Sequence, residues 1–198
     1  MRLVACALMM LLAACSANPP IPDWQLNAKA ASERAFAAYL TGNARIDAAE
    51  QARARAEVAR TGRADLLARV ELAHCAAQVA SLVFEPCSAF EPLRVDATDA
   101  ERAYADRLAG RSATPEPSAL QGINDPLARL VAAGVLFETN RADPQIIRIA
   151  IDTASAQGWR RPLLAWLNVQ LKRAEAAGAQ AESEQLRRRI ALVQGSAP

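Results

Sequence analysis

Apolar residues recur along most of the chain at the spacing of one helix face, and helix-ending residues separate these stretches. Residues 24–41 are rich in Ala, Leu and Phe and are followed by Gly42, which adopts the left-handed conformation of a helix end at little cost. A second stretch, 46–61, ends in the same way at Gly62. The pattern therefore predicts two consecutive helices joined by a short connection.

A third helix is predicted over 65–84, where Glu85-Pro86 ends it. Its apolar positions fall three or four residues apart, which is typical of a helix that buries one face. They are Leu66, Val70, Ala73, Ala77, Ala80 and Phe84. The sequence Thr98-Asp99-Ala100-Glu101 is a capping-box pattern, so a fourth helix is predicted to begin there and to end at Gly110.

The C-terminal part repeats one helix-starting device. Asp125-Pro126 and Asp143-Pro144 each place a side-chain acceptor at the N-cap and a proline at the first helical position. Four helices are predicted from these and similar signals, over 126–139, 144–157, 162–178 and 180–194. The first of them is apolar on most sides, so we expect it to form the core of this half, with Leu130 and Val131 at its centre.

These elements predict an all-α fold of antiparallel helical hairpins, either a bundle or an irregular solenoid, because short connections force neighbouring helices to run in opposite directions. We divide the body into an N-terminal helical half (24–110), a linker or loop with two prolines (111–122) and a C-terminal helical half (123–195). Composition agrees with this reading, since 47 of the 198 residues are alanine, the best helix former.

The first residues have a pattern of their own. Arg2 precedes an apolar run of ten residues, 3–12, which is too short to cross a bilayer and predicts a signal peptide over 1–14. The sequence Leu12-Ala13-Ala14-Cys15 resembles the processing site of bacterial lipoproteins. That resemblance implies cleavage before Cys15, a diacylglyceryl group on its thiol and an acylated amine. The alternative is an ordinary secretory signal that contains a cysteine.

If the resemblance holds, the mature chain is anchored to a membrane through its N-terminal lipid. The residue after the cysteine is Ser16 rather than the Asp that often retains lipoproteins at the inner membrane, which favours the outer membrane, with the domain facing the periplasm. Residues 15–23 contain three prolines, so they predict a stiff lipidated tether between lipid and body.

Two segments of the body are similar to each other. Residues 33–42 and 101–110 share six identities in ten at an offset of 68, which is twice the tetratricopeptide period of 34. The body therefore resembles tetratricopeptide-like solenoids. The intermediate positions lack the turn glycine, and an irregular helical-hairpin domain is the interpretation that we favour.

The remaining cysteines and charged residues give few candidates for chemistry. Cys75 and Cys87 form an even pair, which predicts a disulfide in an oxidising compartment, the alternative being two buried thiols. His74 is the only histidine and has no partners at metal-ligand spacing, so neither a metal nor another cofactor is expected. Glu85 and Glu91 lie in the most irregular part of the first half and are the candidates for carboxylate catalysis.

Binding to a partner is the other possibility. Trp159, Arg160 and Arg161 combine the residue types favoured at interfaces, although Trp166, in the helix that follows them, has the spacing of a core residue. A net charge of +2 speaks against a nucleic-acid partner, and Arg187–Arg189 are expected to form the solvated face of a helix. The function expected is that of a non-catalytic scaffold or adaptor for an envelope protein; the alternative is a periplasmic enzyme acting on the cell wall through its loop carboxylates.

Overall fold

The computed structural model describes residues 20–112 and 116–195, which form eight α-helices, two short 3₁₀-helices and no strand. The predicted all-α fold is therefore confirmed. The signal peptide, Cys15 and most of the tether lie outside the described residues. The helices are α1 (Asp23–Thr41), α2 (Ala44–Ala59), α3 (Ala64–Ala80), α4 (Asp99–Leu108), α5 (Pro126–Glu138), α6 (Pro144–Ala156), α7 (Arg160–Ala176) and α8 (Gln180–Gln194). The 3₁₀-helices are Glu91–Leu93 and Pro117–Gly122, the second of them inside the predicted linker.

The predicted helix starts are present in atomic detail. The Thr98 amide donates to Glu101 Oε2 at 2.8 Å, and the Glu101 amide donates to Thr98 Oγ1 at 3.3 Å, which completes the capping box of α4. Asp125 accepts from the Ala128 amide at 2.7 Å, and Asp143 caps α6 in the same way. These side chains satisfy amides at the helix starts that have no partner inside the helix.

Successive helices run antiparallel, as the pairs of side chains between α2 and α3 show. Between α2 and α3, Asp47 lies opposite His74 while Arg55 lies opposite Glu71, so rising numbers on one helix match falling numbers on the other. The helices α7 and α8 also contact each other, and only three residues, 177–179, join them, so the chain has to reverse its direction there. The predicted helical hairpins are thus confirmed as the building units of the fold.

The third helix departs from the prediction. It ends at Ala80 instead of Phe84, because Leu82 takes a left-handed conformation with φ 59°. The Val83 amide donates to the Gln78 carbonyl and the Leu82 amide to the Val79 carbonyl, which is the hydrogen-bond pattern of a Schellman motif. A leucine occupies the position where glycine is usual, so the sequence carries no signal for this end.

The buried face of α3 also differs from the predicted one. Ala73, which we placed on the apolar face, is exposed, whereas Ala68, Leu72 and Cys75 are buried. The physical reason is that α3 contacts α1, α2, α4 and α5, so its burial follows several neighbours and not one apolar stripe. The helix that the pattern assigned to a single interface is therefore central to the N-terminal half.

One hydrophobic core joins residues from both sides of the predicted linker. It includes Leu72 of α3, Leu130 of α5 and Trp166 of α7. The Trp166 ring is fully buried, and its Nε1 donates to the carbonyl of Ala80 at 3.1 Å across the two halves. Leu130 and Val131 are buried in this core, as predicted.

The backbones of α3 and α5 approach each other closely at Gly134. Gly134 is buried in α5, and a Cβ atom placed on it would lie 3.0 Å from Val79 Cγ1 and 3.1 Å from the Val79 carbonyl carbon. A glycine in the middle of a helix is unfavourable by itself. Here it lets the two backbones meet.

Candidate functional site

The predicted disulfide is present. Cys75 of α3 is bonded to Cys87, with the Cα atoms 5.9 Å apart and a separation of twelve residues. The bond forms because α3 ends at Ala80 and the chain turns back beside the helix. It fastens the irregular segment before α4 to the central helix of the N-terminal half.

The two loop carboxylates lie at the surface. Glu85 is exposed. Glu91 is also exposed, and it accepts from Arg94 Nε at 2.9 Å and from another Arg94 nitrogen at 3.0 Å. The hydrogen bonds from Arg94 hold the pKa of Glu91 below its usual range. A carboxylate held ionised in this way is unsuited to act as a general acid near neutral pH.

The predicted partner-binding residues tie the two ends of the domain together. The Trp159 ring, which is half-buried, meets the edge of Phe36 at 5.8 Å between centroids. The Arg161 guanidinium lies 4.2 Å from the centroid of the Tyr39 ring, and its Nε donates to the Tyr39 carbonyl at 2.7 Å. Arg160 is exposed. Trp159 and Arg161 thus join α7 to α1 within the chain, and the exposed Arg160 guanidinium lies beside Gly42 at the end of α1.

The arginine run of α8 faces outward, as expected for a solvated face. Arg187 and Arg188 are exposed, and Arg187 pairs with Glu175 at 2.6 Å. Arg189 donates to the Ser155 hydroxyl at 3.3 Å. These contacts connect α8 with its neighbours α6 and α7 at the surface.

His74 belongs to a group of polar residues whose proximity the sequence did not predict. Its ring packs edge-on against Tyr39, 5.3 Å between centroids, and its Nδ1 lies 3.7 Å from Asp47 Oδ1. That distance is too long for a hydrogen bond. Asp47 is 8 % exposed, and its Oδ1 accepts no hydrogen bond. A buried carboxylate oxygen is therefore left with charge neighbours only.

Asp47 and His74 lie on the two sides of a cleft of about 460 Å³ between α2 and α3, which we call the α2–α3 cleft. Three polar residues of α2 line this cleft, each about one helical turn after the one before: Asp47, Gln51 and Arg55. Alanines occupy the positions beside them and leave the cleft open. The lining residues are Asp47, Ala48, Gln51, Ala52, Arg55 and His74.

Burial sets the electrostatics of this region. Removal from water raises the pKa of Asp47, and the nearby His74 and Arg161 oppose the rise without cancelling it. Glu71 is buried beside Arg55, and the Arg55 guanidinium lies 3.0 Å from Glu71 Oε1. Burial likewise raises the pKa of Glu71 against the attraction of Arg55. Of these two carboxyls only Asp47 lines the cleft, and a carboxyl with a raised pKa in a cleft is a common feature of functional sites.

A second hollow lies between α3 and α4 and is lined mainly by apolar groups. It measures about 380 Å³, and its lining includes Leu72, Tyr104 and Ala100. The ion pair of Arg69 with Glu101, 2.6 Å long, lies at its rim. We call it the α3–α4 groove and use it below as a comparison for the polar cleft.

Sequence reasoning missed Asp47, Gln51, Arg55 and Glu71. The one available signal was the regular spacing of three polar residues along α2, which is equally typical of a solvated face. His74 drew attention only as the single histidine of the sequence, and its side chain is 26 % exposed. What the sequence lacked was the register of α2 against α3.

Comparison with known proteins gives no relative, since no family model matches the chain and no curated protein or solved structure is significantly similar to it. Within residues 20–112 and 116–195, no helix is both long and apolar enough to span a bilayer. The same part of the chain contains no group of three or more His, Cys, Asp or Glu side chains arranged to hold a metal ion.

Proposed function

We propose that the protein is a bacterial envelope lipoprotein, anchored at the outer membrane through Cys15, whose helical domain serves as a non-catalytic adaptor for an envelope protein. The observation that carries this proposal is the sequence Leu12-Ala13-Ala14-Cys15 directly after a short apolar run. The disulfide supports export, because such bonds persist in oxidising compartments and are rare in the cytosol. Several acyl chains on one residue are sufficient for stable anchoring.

Mass spectrometry of the mature protein tests the anchor. We expect the chain to begin at Cys15 and to carry the mass of the diacylglyceryl and acyl groups. Cys15→Ser should abolish both processing at this site and partition into detergent. Cys6→Ser is the matched control, since Cys6 lies in the predicted signal peptide and its substitution should leave the mature product unchanged. A mature chain that begins elsewhere, or an unmodified Cys15, refutes the anchoring.

The adaptor role is supported by the fold and by the surface carboxylates. Stacked helical hairpins present extended outer faces, a geometry that repeat proteins use to bind partners. The alternative, an enzyme acting on the cell wall, draws less support, because Glu85 and Glu91 are exposed and Arg94 holds Glu91 ionised.

Complementation of a deletion strain separates the two functions. Glu85→Gln and Glu91→Gln should preserve both the fold and biological activity if the domain is an adaptor. Immunoblotting provides the control for abundance. Loss of activity at normal abundance in either variant would favour the enzyme instead.

A further inference from the structure

The shape of the α2–α3 cleft suits a small ligand. Its volume of about 460 Å³ falls in the range of small-molecule sites, roughly 300–1,000 Å³. Ala48 and Ala52 are exposed and line it with methyl groups only, so no long side chain covers this part of the opening. The cleft itself is therefore open to solvent, whereas Asp47 Oδ1 and Gln51 Nε2 are buried atoms with almost no exposed surface.

The end of the cleft at Asp47 is suited to bind a cation. Asp47 is buried, its Oδ1 accepts no hydrogen bond, and His74 Nδ1 is 3.7 Å away. A carboxylate removed from water is costly unless donors replace the lost hydration. An ammonium group supplies up to three donors and forms charge-assisted hydrogen bonds with a carboxylate.

The other end offers donors to an anion. The Arg55 guanidinium contacts Glu71 Oε1 at 3.0 Å, yet its side chain remains 46 % exposed. A guanidinium carries five N–H donors, so one contact with Glu71 leaves others that can bind a carboxylate. Gln51 lies between the two ends, and its buried Nε2, which is close to the Glu71 carboxyl, has no hydrogen-bond partner of good geometry within the described residues.

The distance between the ends fixes the size of the ligand. Asp47 and Arg55 are eight residues apart on α2, which corresponds to about 12 Å along the helix axis. Their side chains span part of that distance. An extended tripeptide is about 10 Å long, and its peptide carbonyls can accept from a donor placed at its middle.

We propose that the α2–α3 cleft binds a small zwitterionic ligand of the short-peptide class, with its ammonium group at Asp47, a backbone carbonyl at Gln51 and its carboxylate at Arg55. The mixed charge of the lining disfavours a polyanion, because Asp47 and Glu71 would repel it. This inference does not depend on the lipid anchor, and it goes beyond the adaptor function.

Isothermal titration of the purified full-length protein in detergent with three peptides tests the proposal. The probes are trialanine, N-acetyl-trialanine, which lacks the ammonium, and trialanine amide, which lacks the carboxylate. We expect saturable binding of trialanine. Each blocked peptide should bind roughly tenfold more weakly or worse, the loss expected for one charge-assisted hydrogen-bonded contact. Equal affinity for the three peptides, or no saturation with trialanine at millimolar concentration, overturns the proposal.

Variants locate the binding. Asp47→Asn should weaken trialanine binding by a similar factor and should remove the difference between trialanine and its acetylated form. Ala52→Phe fills the cleft from an exposed position without removing a charge, so it should abolish binding while the circular dichroism spectrum stays helical. Its matched control is Ala100→Phe, also exposed, in the α3–α4 groove. Trialanine binding that survives Ala52→Phe, or is lost in Ala100→Phe, places the ligand elsewhere and refutes the assignment.

Discussion

Replacing Gly134 with alanine tests how closely α3 and α5 pack. A Cβ atom at this position would lie 3.0 Å from Val79 Cγ1, 3.1 Å from the Val79 carbonyl carbon and nearer still to the carbonyl oxygen. Carbon atoms in good contact are about 3.5–4.0 Å apart. The two helices must therefore separate locally by roughly half an ångström or more to admit the methyl group.

Two opposing effects set the size of the change. Alanine is a better helix former than glycine by about 1 kcal/mol. Overpacking a well-filled core costs about 1–3 kcal/mol. We expect the upper end of that range, because the nearest obstructing atom belongs to the backbone of α3 and cannot rotate away. The net loss in the free energy of unfolding is then about 2 kcal/mol, which lowers the Tm of a chain of this size by about 4–8 °C.

Thermal and urea unfolding followed by circular dichroism measure this difference. Gly122→Ala is the matched control, because a Cβ atom there meets nothing within 4 Å and the backbone does not need a positive φ. It should change the free energy of unfolding by no more than about 0.5 kcal/mol. If Gly134→Ala is as stable as the parent protein, the close crossing of α3 and α5 is refuted.

Three further predictions concern stability. Reduction of the Cys75–Cys87 disulfide, which closes a loop of twelve residues, should remove about 3 kcal/mol and lower the Tm by about 6–12 °C, and an unchanged Tm with reductant would contradict this. Because burial raises the pKa of Glu71, the folded state binds its proton more tightly than the unfolded chain does, so the contribution of Glu71 to the free energy of unfolding should rise as pH falls from neutral toward the ordinary range of glutamate. In urea titrations at several pH values, Glu71→Gln should therefore lose stability relative to the parent protein as pH falls, and a constant difference between the two would oppose this reasoning. Val131→Asp places an unpaired charge in the core and should cost several kcal/mol, leaving little folded protein by circular dichroism, whereas a native spectrum would argue against the assigned core.

The helix ends that the sequence predicted correctly are those with a local chemical signal. Gly42 ends α1 with φ 89°, and Thr98 and Asp125 cap α4 and α5 through their own side chains. Each of these signals acts over four residues or fewer, so a single sequence contains all the information that they need. The end of α3 at Ala80 had no such signal, since Leu82 adopts its left-handed conformation under tertiary packing.

Predicting the candidate site would have required the packing of one helix against another, which no local signal in the sequence encodes. Asp47 and His74 are 27 positions apart, and their proximity results from the rotation and register of α2 against α3. No pattern within either helix fixes that register. The disulfide was predictable because Cys75 and Cys87 are the only two cysteines in the sequence after the predicted signal peptide and lipidation site, whereas polar residues such as Gln51 have many possible surroundings.

The hydrogen bond from Arg161 to the Tyr39 carbonyl joins residues 122 positions apart, and it affects the order of folding. Most helix contacts join neighbours along the chain, as between α1 and α2 or α7 and α8, and such local contacts form early. Docking of α1 against α7 has to wait until nearly the whole chain is available. Until then the apolar cluster around Leu40 and Tyr39 lacks Trp159 as a cover, so an incomplete chain exposes a surface on which it can aggregate or be bound by a chaperone.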